Sequence, residues 1–100
     1  MKLRVYKVFG FDPDMELDGW GTVEAVRVLD LDGLRKEFMW AYNSGHIGFD
    51  IISDYEKNPD YKKENWNDIG SLSAGTMIDI MNDLINYNAS FCYYVAEIDI

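Results

Sequence analysis

Apolar and polar positions recur along the chain in two rhythms, and together they predict six main elements and one short helix. The clearest is a helix over 73–88, SAGTMIDIMNDLINYN. Met77, Ile78, Met81, Leu84 and Ile85 fall at i, i+1, i+4, i+7 and i+8, one stripe of an α-helix, while Asp79, Asn82, Asp83 and Asn86 fall opposite. Ser73 or Thr76 supplies a hydroxyl to cap the first turn. Thr76 and Asp79 have the spacing of a capping box, which sets Asp79 near the positive end of the helix dipole. Asn88 suits the closing turn, because Asn tolerates the left-handed conformation. A helix with one apolar stripe needs a surface to lie on, and the rest of the chain is expected to supply a sheet.

The remaining pattern supplies four strands and a second helix. In 2–11, Leu3, Val5, Phe9 and Phe11 share one strand face and Tyr6 and Val8 the other. Lys7 interrupts the first face, which predicts an edge position where an inward lysine discourages pairing. Asp12 to Gly21 reads as a long hairpin loop, opened by Asp-Pro and closed by Asp-Gly, with Met15, Leu17 and Trp20 too apolar for an idle loop. Val23 to Leu31 is a second strand. Asp32 then caps a helix striped by Leu34, Phe38, Ala41 and Tyr42, stopped at Asn43-Ser44-Gly45, with Arg35, Lys36 and Glu37 facing water. His46 to Ser53 alternates weakly, with Ile47, Phe49 and Ile51 on one side, and is read as a strand. The polar stretch 54–70 holds Asn58-Pro59, a cap followed by proline, and a short helix from Pro59 to Trp66. In 91–100 the even positions Cys92, Tyr94, Ala96, Ile98 and Ile100 are expected to pack on the helices. The expected fold is a single α+β domain over 1–100, ordered β–β–α–β–α–β, a mainly antiparallel sheet with two helices on one face.

Composition adds that 100 residues with 48% apolar content and 15 aromatics form one core without a metal or disulfide. A single cysteine and an N-terminus unlike a signal sequence point to the cytoplasm. No apolar run nears the ~20 residues that span a bilayer.

Charge changes the picture more. The net charge is −9, and no Lys or Arg follows Lys63, so Glu64, Asp68, Asp79, Asp83, Glu97 and Asp99 stand unbalanced in the last third. Such a surface repels nucleic acid and anionic membrane and attracts basic proteins.

Candidate chemistry is sparse. Cys92 lies between aromatics on a face expected to be buried, which suits a core residue better than a nucleophile. His46 is the only histidine, so it cannot build a multi-histidine metal site, and no family spacing supports a Cys92–His46 dyad. Asp12, Asp14, Glu16 and Asp18 alternate as calcium ligands do, but Leu17 stands where the turn glycine belongs and Val23 where the closing glutamate belongs. Phosphate loops, dinucleotide fingerprints, zinc spacings and nucleophile elbows are absent, and no cofactor is implied.

What remains is a surplus of aromatic residues in acidic surroundings. Tyr and Trp anchor protein interfaces, and an acidic rim speeds docking to a basic partner. The expectation is a non-enzymatic acidic inhibitor whose carboxylates stand in for nucleic-acid phosphates on a basic protein, such as a nuclease or another nucleic-acid-binding effector. Its candidate contacts are Asp14, Glu16, Asp18, Trp20, Asp54, Tyr55, Glu56, Asp60, Tyr61, Glu64, Trp66, Asp68, Asp79 and Asp83. In size, acidity and aromatic surplus the chain resembles the broad class of nuclease immunity proteins and phage anti-restriction or anti-CRISPR proteins. No motif carries residues over from that class. The alternative expectation is an assembly module that pairs with itself, as a homodimer, or with a larger complex through a strand edge.

Overall fold

The computed structural model describes residues 2–9, 22–87 and 91–98. Strands β1 (Lys2–Phe9), β2 (Thr22–Leu29) and β3 (Phe91–Ile98) form one antiparallel sheet in the order β2-β1-β3. Three helices, α1 (Leu31–Asn43), α2 (Phe49–Lys57) and α3 (Ala74–Asp83), separate β2 from β3 in the chain. The α+β class therefore holds, but the order is β–β–α–α–α–β, with three strands and three helices among the described residues. Helix rather than sheet makes up most of the regular structure. No described helix is long and apolar enough to cross a membrane.

The missing fourth strand is α2. Ile51 and Ile52 are both buried and Tyr55 packs on the core, a helical i, i+1, i+4 set that a strand would split between two faces. Phe49, expected to share a strand face with Ile47 and Ile51, is instead 88% exposed at the first helical position while those two are buried. The stretch 46–53 is too short for periodicity to separate the two readings. The helix expected over 59–66 is a single 3-10 turn, Pro59–Tyr61, with Asn58 Oδ1 accepting from the Asp60 N–H at 3.0 Å.

Boundaries moved where a cap was misplaced. Asp30, not Asp32, caps α1, accepting from the Gly33 N–H at 2.7 Å, so β2 ends at Leu29. The expected stop holds. Gly45 takes φ +82°, the His46 N–H donates to the Ala41 carbonyl, and the Gly45 N–H donates to that of Tyr42, a Schellman closure. Asn88, the expected closing residue of α3, lies outside the described residues.

The core lies between the inner face of the sheet and the helices. Leu3 and Val5 of β1 and Phe91, Tyr93 and Val95 of β3 meet Leu34, Phe38, Ala41, Ile51, Leu72, Met77, Ile80, Met81 and Leu84. The odd face of β3 is thus the buried one, against expectation, and Tyr94 on the even face is 61% exposed. Both faces of 91–96 are apolar, so the strand's own pattern could not decide. Its register on β1, Val5 opposite Val95 and Lys7 opposite Tyr93, does.

That register also corrects the reading of Lys7. It belongs to the central strand and points inward, where its Nζ lies 2.6 Å from Glu37 and 4.2 Å from the centre of the Trp40 ring. Arg35, expected in water, donates to the Gly70 and Leu72 carbonyls and ties α1 to the segment before α3.

The two side chains of the Lys7–Glu37 pair are 14% and 11% exposed. Removing one partner of so buried a pair strands the other's charge. We expect Glu37→Ala or Lys7→Ala to cost about 2–4 kcal/mol in urea unfolding, and Lys7→Met with Glu37→Leu to cost less than either single change. Additive costs in the double variant would refute this account of the pair.

Candidate functional site

Helix α3 begins where three oxygens converge. Ser73 Oγ accepts from the Thr76 N–H, and Glu64 accepts from the Ser73 N–H (2.9 Å), the Ser73 hydroxyl (2.6 Å) and the Thr76 hydroxyl (3.0 Å). This is a capping box whose carboxylate comes from a preceding loop rather than from the helix. The Thr76–Asp79 box does not form. Asp79 lies in the second turn, away from the dipole's positive end. Glu64, a candidate contact, is therefore a structural anchor. The hydrogen bonds from Ser73 are the main reason its carboxyl sits below the usual glutamate range.

With the buried side of α3 set by Met77, Ile80 and Met81, and by Leu84 just after its end, its outer side carries Asp79, Asn82 and Asp83. These face Tyr55 of α2 and Tyr61 of the Pro59–Tyr61 turn. The Tyr61 hydroxyl donates to Asp79 Oδ2 at 2.8 Å, and that of Tyr55 to Asp83 Oδ2 at 3.1 Å and to the Asp79 carbonyl at 3.2 Å. Asp83 Oδ1 accepts from the Asn86 amide at 2.7 Å. A third pair stands beside them, the Tyr87 hydroxyl donating to Asp54 Oδ2 at 2.7 Å. Tyr55, Tyr61, Asp79, Asn82 and Asp83 line an open cleft of about 430 Å³.

The tyrosines record this environment. The hydrogen bond to Asp79 pushes Tyr61 up to about 12, and the bond to Asp54 does the same for Tyr87. Burial, followed by the Asp83 bond and charge, raises Tyr55 well above its usual range. Among the described residues no salt bridge from a lysine or arginine reaches Asp54, Asp79 or Asp83; Lys7 pairs with Glu37 instead.

Of the sequence candidates, the structure brings together Asp54, Tyr55, Tyr61, Asp79 and Asp83. Trp66 is half-buried against the core, and its indole N–H donates to the Tyr61 carbonyl at 3.0 Å, so it supports the site from behind. Glu56, Asp60 and Asp68 are exposed and take no part in the tyrosine pairs. Asp14, Glu16, Asp18 and Trp20, with the calcium-like loop, lie outside the described residues. Asn82 and the Tyr87–Asp54 pair were missed. Asn82 looked like an ordinary polar helix position, and 33 residues separate Tyr87 from Asp54.

Other reactive groups lead elsewhere. Cys92 is buried, which raises its thiol pKa, and it sits on the outer face of the sheet. His46 stacks on Phe91, ring centres 4.1 Å apart, with Trp40 beside it. Among the described residues the buried Tyr93 hydroxyl has no hydrogen-bond partner, and burial raises its pKa. No cluster of three or more metal-ligating side chains occurs among the described residues.

Two measurements check these assignments. Glu64→Ala should cost about 1–2 kcal/mol through the lost charged cap. Because the folded-state pKa is depressed, Glu64 stabilises above the ordinary glutamate value near 4.3, and that increment disappears as pH falls through the folded value. Glu64→Ala should therefore flatten the acid limb of stability against pH. An unchanged limb would contradict the role. For Tyr61 and Tyr87 the sign reverses. Their raised values leave the pairs intact below about pH 10 and weaken the fold as pH rises toward 12. Tyrosinate absorbance should show Tyr61 ionising earlier in Asp79→Ala than in the parent, whereas coincident titrations would contradict the pair. Comparison with protein-family models, curated proteins and solved structures returns no match, so the functional reading rests on the geometry of this face alone.

Proposed function

We propose that the protein is a non-enzymatic binding protein that docks onto a basic surface of another protein through the face built by α2, the turn at Pro59–Tyr61 and α3. The observation that carries this reading is the set of three aspartates, each held by a tyrosine hydroxyl and none neutralised by a cation among the described residues. An aspartate held by a neutral donor keeps its charge and loses rotamer freedom before the partner arrives, which reduces the cost of binding. The rest of the −9 charge steers a basic partner toward the molecule. Carboxylates in fixed positions substitute for phosphates, so nucleic-acid-handling proteins are the proposed targets and inhibition by occupancy the proposed action. Immunity and anti-restriction proteins of this size and charge provide the comparison of style.

The test is a pair of baits, the parent chain and the triple variant Asp54→Asn, Asp79→Asn, Asp83→Asn, which keeps side-chain shape and removes charge. The parent should retain a basic protein that elutes as salt is raised, and the triple variant should retain it at least about tenfold less well. Equal retention by both baits, or retention indifferent to salt, would overturn the proposal.

A further inference from the structure

Strand β3 lies at one edge of the sheet, and among the described residues no strand pairs with its outer side. Val95 directs its N–H and C=O to that side, and the Asn82 side-chain amide meets both, accepting at 2.7 Å and donating at 3.2 Å. A helix side chain thus occupies, for one residue, the place of a neighbouring strand. The register of β3 on β1 runs unbroken, so the two-residue alternation sends the N–H and C=O of Tyr93 to the same outer side. There an apolar groove of about 380 Å³ is lined by Asn82, Ile85, Cys92, Tyr93 and Tyr94. Ile85 and Tyr94 are 37% and 61% exposed, large apolar surfaces for a small protein to leave in water. Asn82 also lines the carboxylate cleft, so the apolar groove and the Asp79–Asp83 cleft meet at one residue.

We propose that an extended, lysine- or arginine-bearing segment of the partner adds to the outer edge of β3, bonding the main chain at Tyr93, seating an apolar side chain against Ile85 and Tyr94, and placing a basic side chain in the Asp79–Asp83 cleft. This rests on the acidic docking reading above and names the form in which the partner is held. An extended segment fits because the edge presents main-chain donors and acceptors, which a helix, its own groups satisfied internally, cannot engage. A second copy of this chain fits less well, since it would set one −9 molecule against another.

The experiment is selection from a displayed library of random linear peptides against the intact protein, followed by solution binding of the enriched peptides. Enriched sequences should alternate apolar residues and carry Lys or Arg. N-methylation of the peptide backbone should weaken binding about tenfold or more at the one position whose N–H donates to the Tyr93 carbonyl and little elsewhere, as expected for loss of one main-chain bond. That change lies in the peptide, so it cannot unfold the protein. Ile85→Asp should weaken binding, Asp79→Asn with Asp83→Asn should weaken it and reduce its salt dependence, and the Tyr93 amide should gain hydrogen-exchange protection. Enrichment of acidic or uncharged peptides, or of none, would overturn the proposal. If the aspartate variants weaken binding but N-methylation at every position is tolerated, strand addition fails and acidic docking stands. If N-methylation at that one position matters but the aspartates and salt do not, the acidic docking reading fails and takes this inference with it.

Discussion

Helix α3 has two faces, and burial of one fixes where the other points. Met77, Ile80, Met81 and Leu84 are fully buried against the sheet and the other helices. Each such side chain contributes roughly 1.5–3 kcal/mol relative to exposure, so rotating the helix about its axis would expose several of them at once and is strongly opposed. Its start is set independently by Glu64, whose carboxylate closes the cap on Ser73 and Thr76. With rotation and starting point both defined, Asp79, Asn82 and Asp83 have no choice but to face outward, toward the tyrosines of the preceding segment and the edge of β3.

The same economy appears at the sheet. Strand β1 is central, and its inner face changes from apolar at Leu3 and Val5 to charged at Lys7. The charge is tolerated because Glu37 and the Trp40 ring receive it. The buried Lys7–Glu37 pair and the exposed Tyr–Asp pairs lie in different parts of the molecule and do different things. The first neutralises itself and joins α1 to the sheet. The second keeps its negative charge outward, because a neutral hydroxyl orients a carboxylate without cancelling it. Asn82 connects this charged face to the strand edge by bonding Val95 from outside the sheet.

Much of the candidate site was legible as residue types. Asp54, Tyr55, Tyr61, Asp79 and Asp83 were named from acidity and aromatic surplus, and they do come together. What could not be read was partnership. Tyr87 reaches Asp54 across 33 residues, Glu64 caps a helix nine residues further on, and Asn82 finds a strand that begins nine residues after it. None of these separations carries a local signature. The short strand assigned to 46–53 failed for a related reason. Two consecutive isoleucines satisfy either rhythm in so small a window, and only the presence of α3 and the Tyr55 contacts makes the helix the better burial.

By itself the sequence determined the α+β class, the identities of β1, β2, β3, α1 and α3, the glycine stop at Gly45 and the acidic character of the chain, because each depends on side chains within a few residues of one another. The tertiary structure alone decided that β1 is central, that the odd face of β3 is the buried one, that Lys7 is paired rather than guarding an edge, and which carboxylates cap a helix and which accept from tyrosine hydroxyls. The physical reason is the same in each case. A strand with two apolar faces, an inward lysine or a surface glutamate has more than one locally acceptable arrangement, and the choice is made by what lies opposite in space.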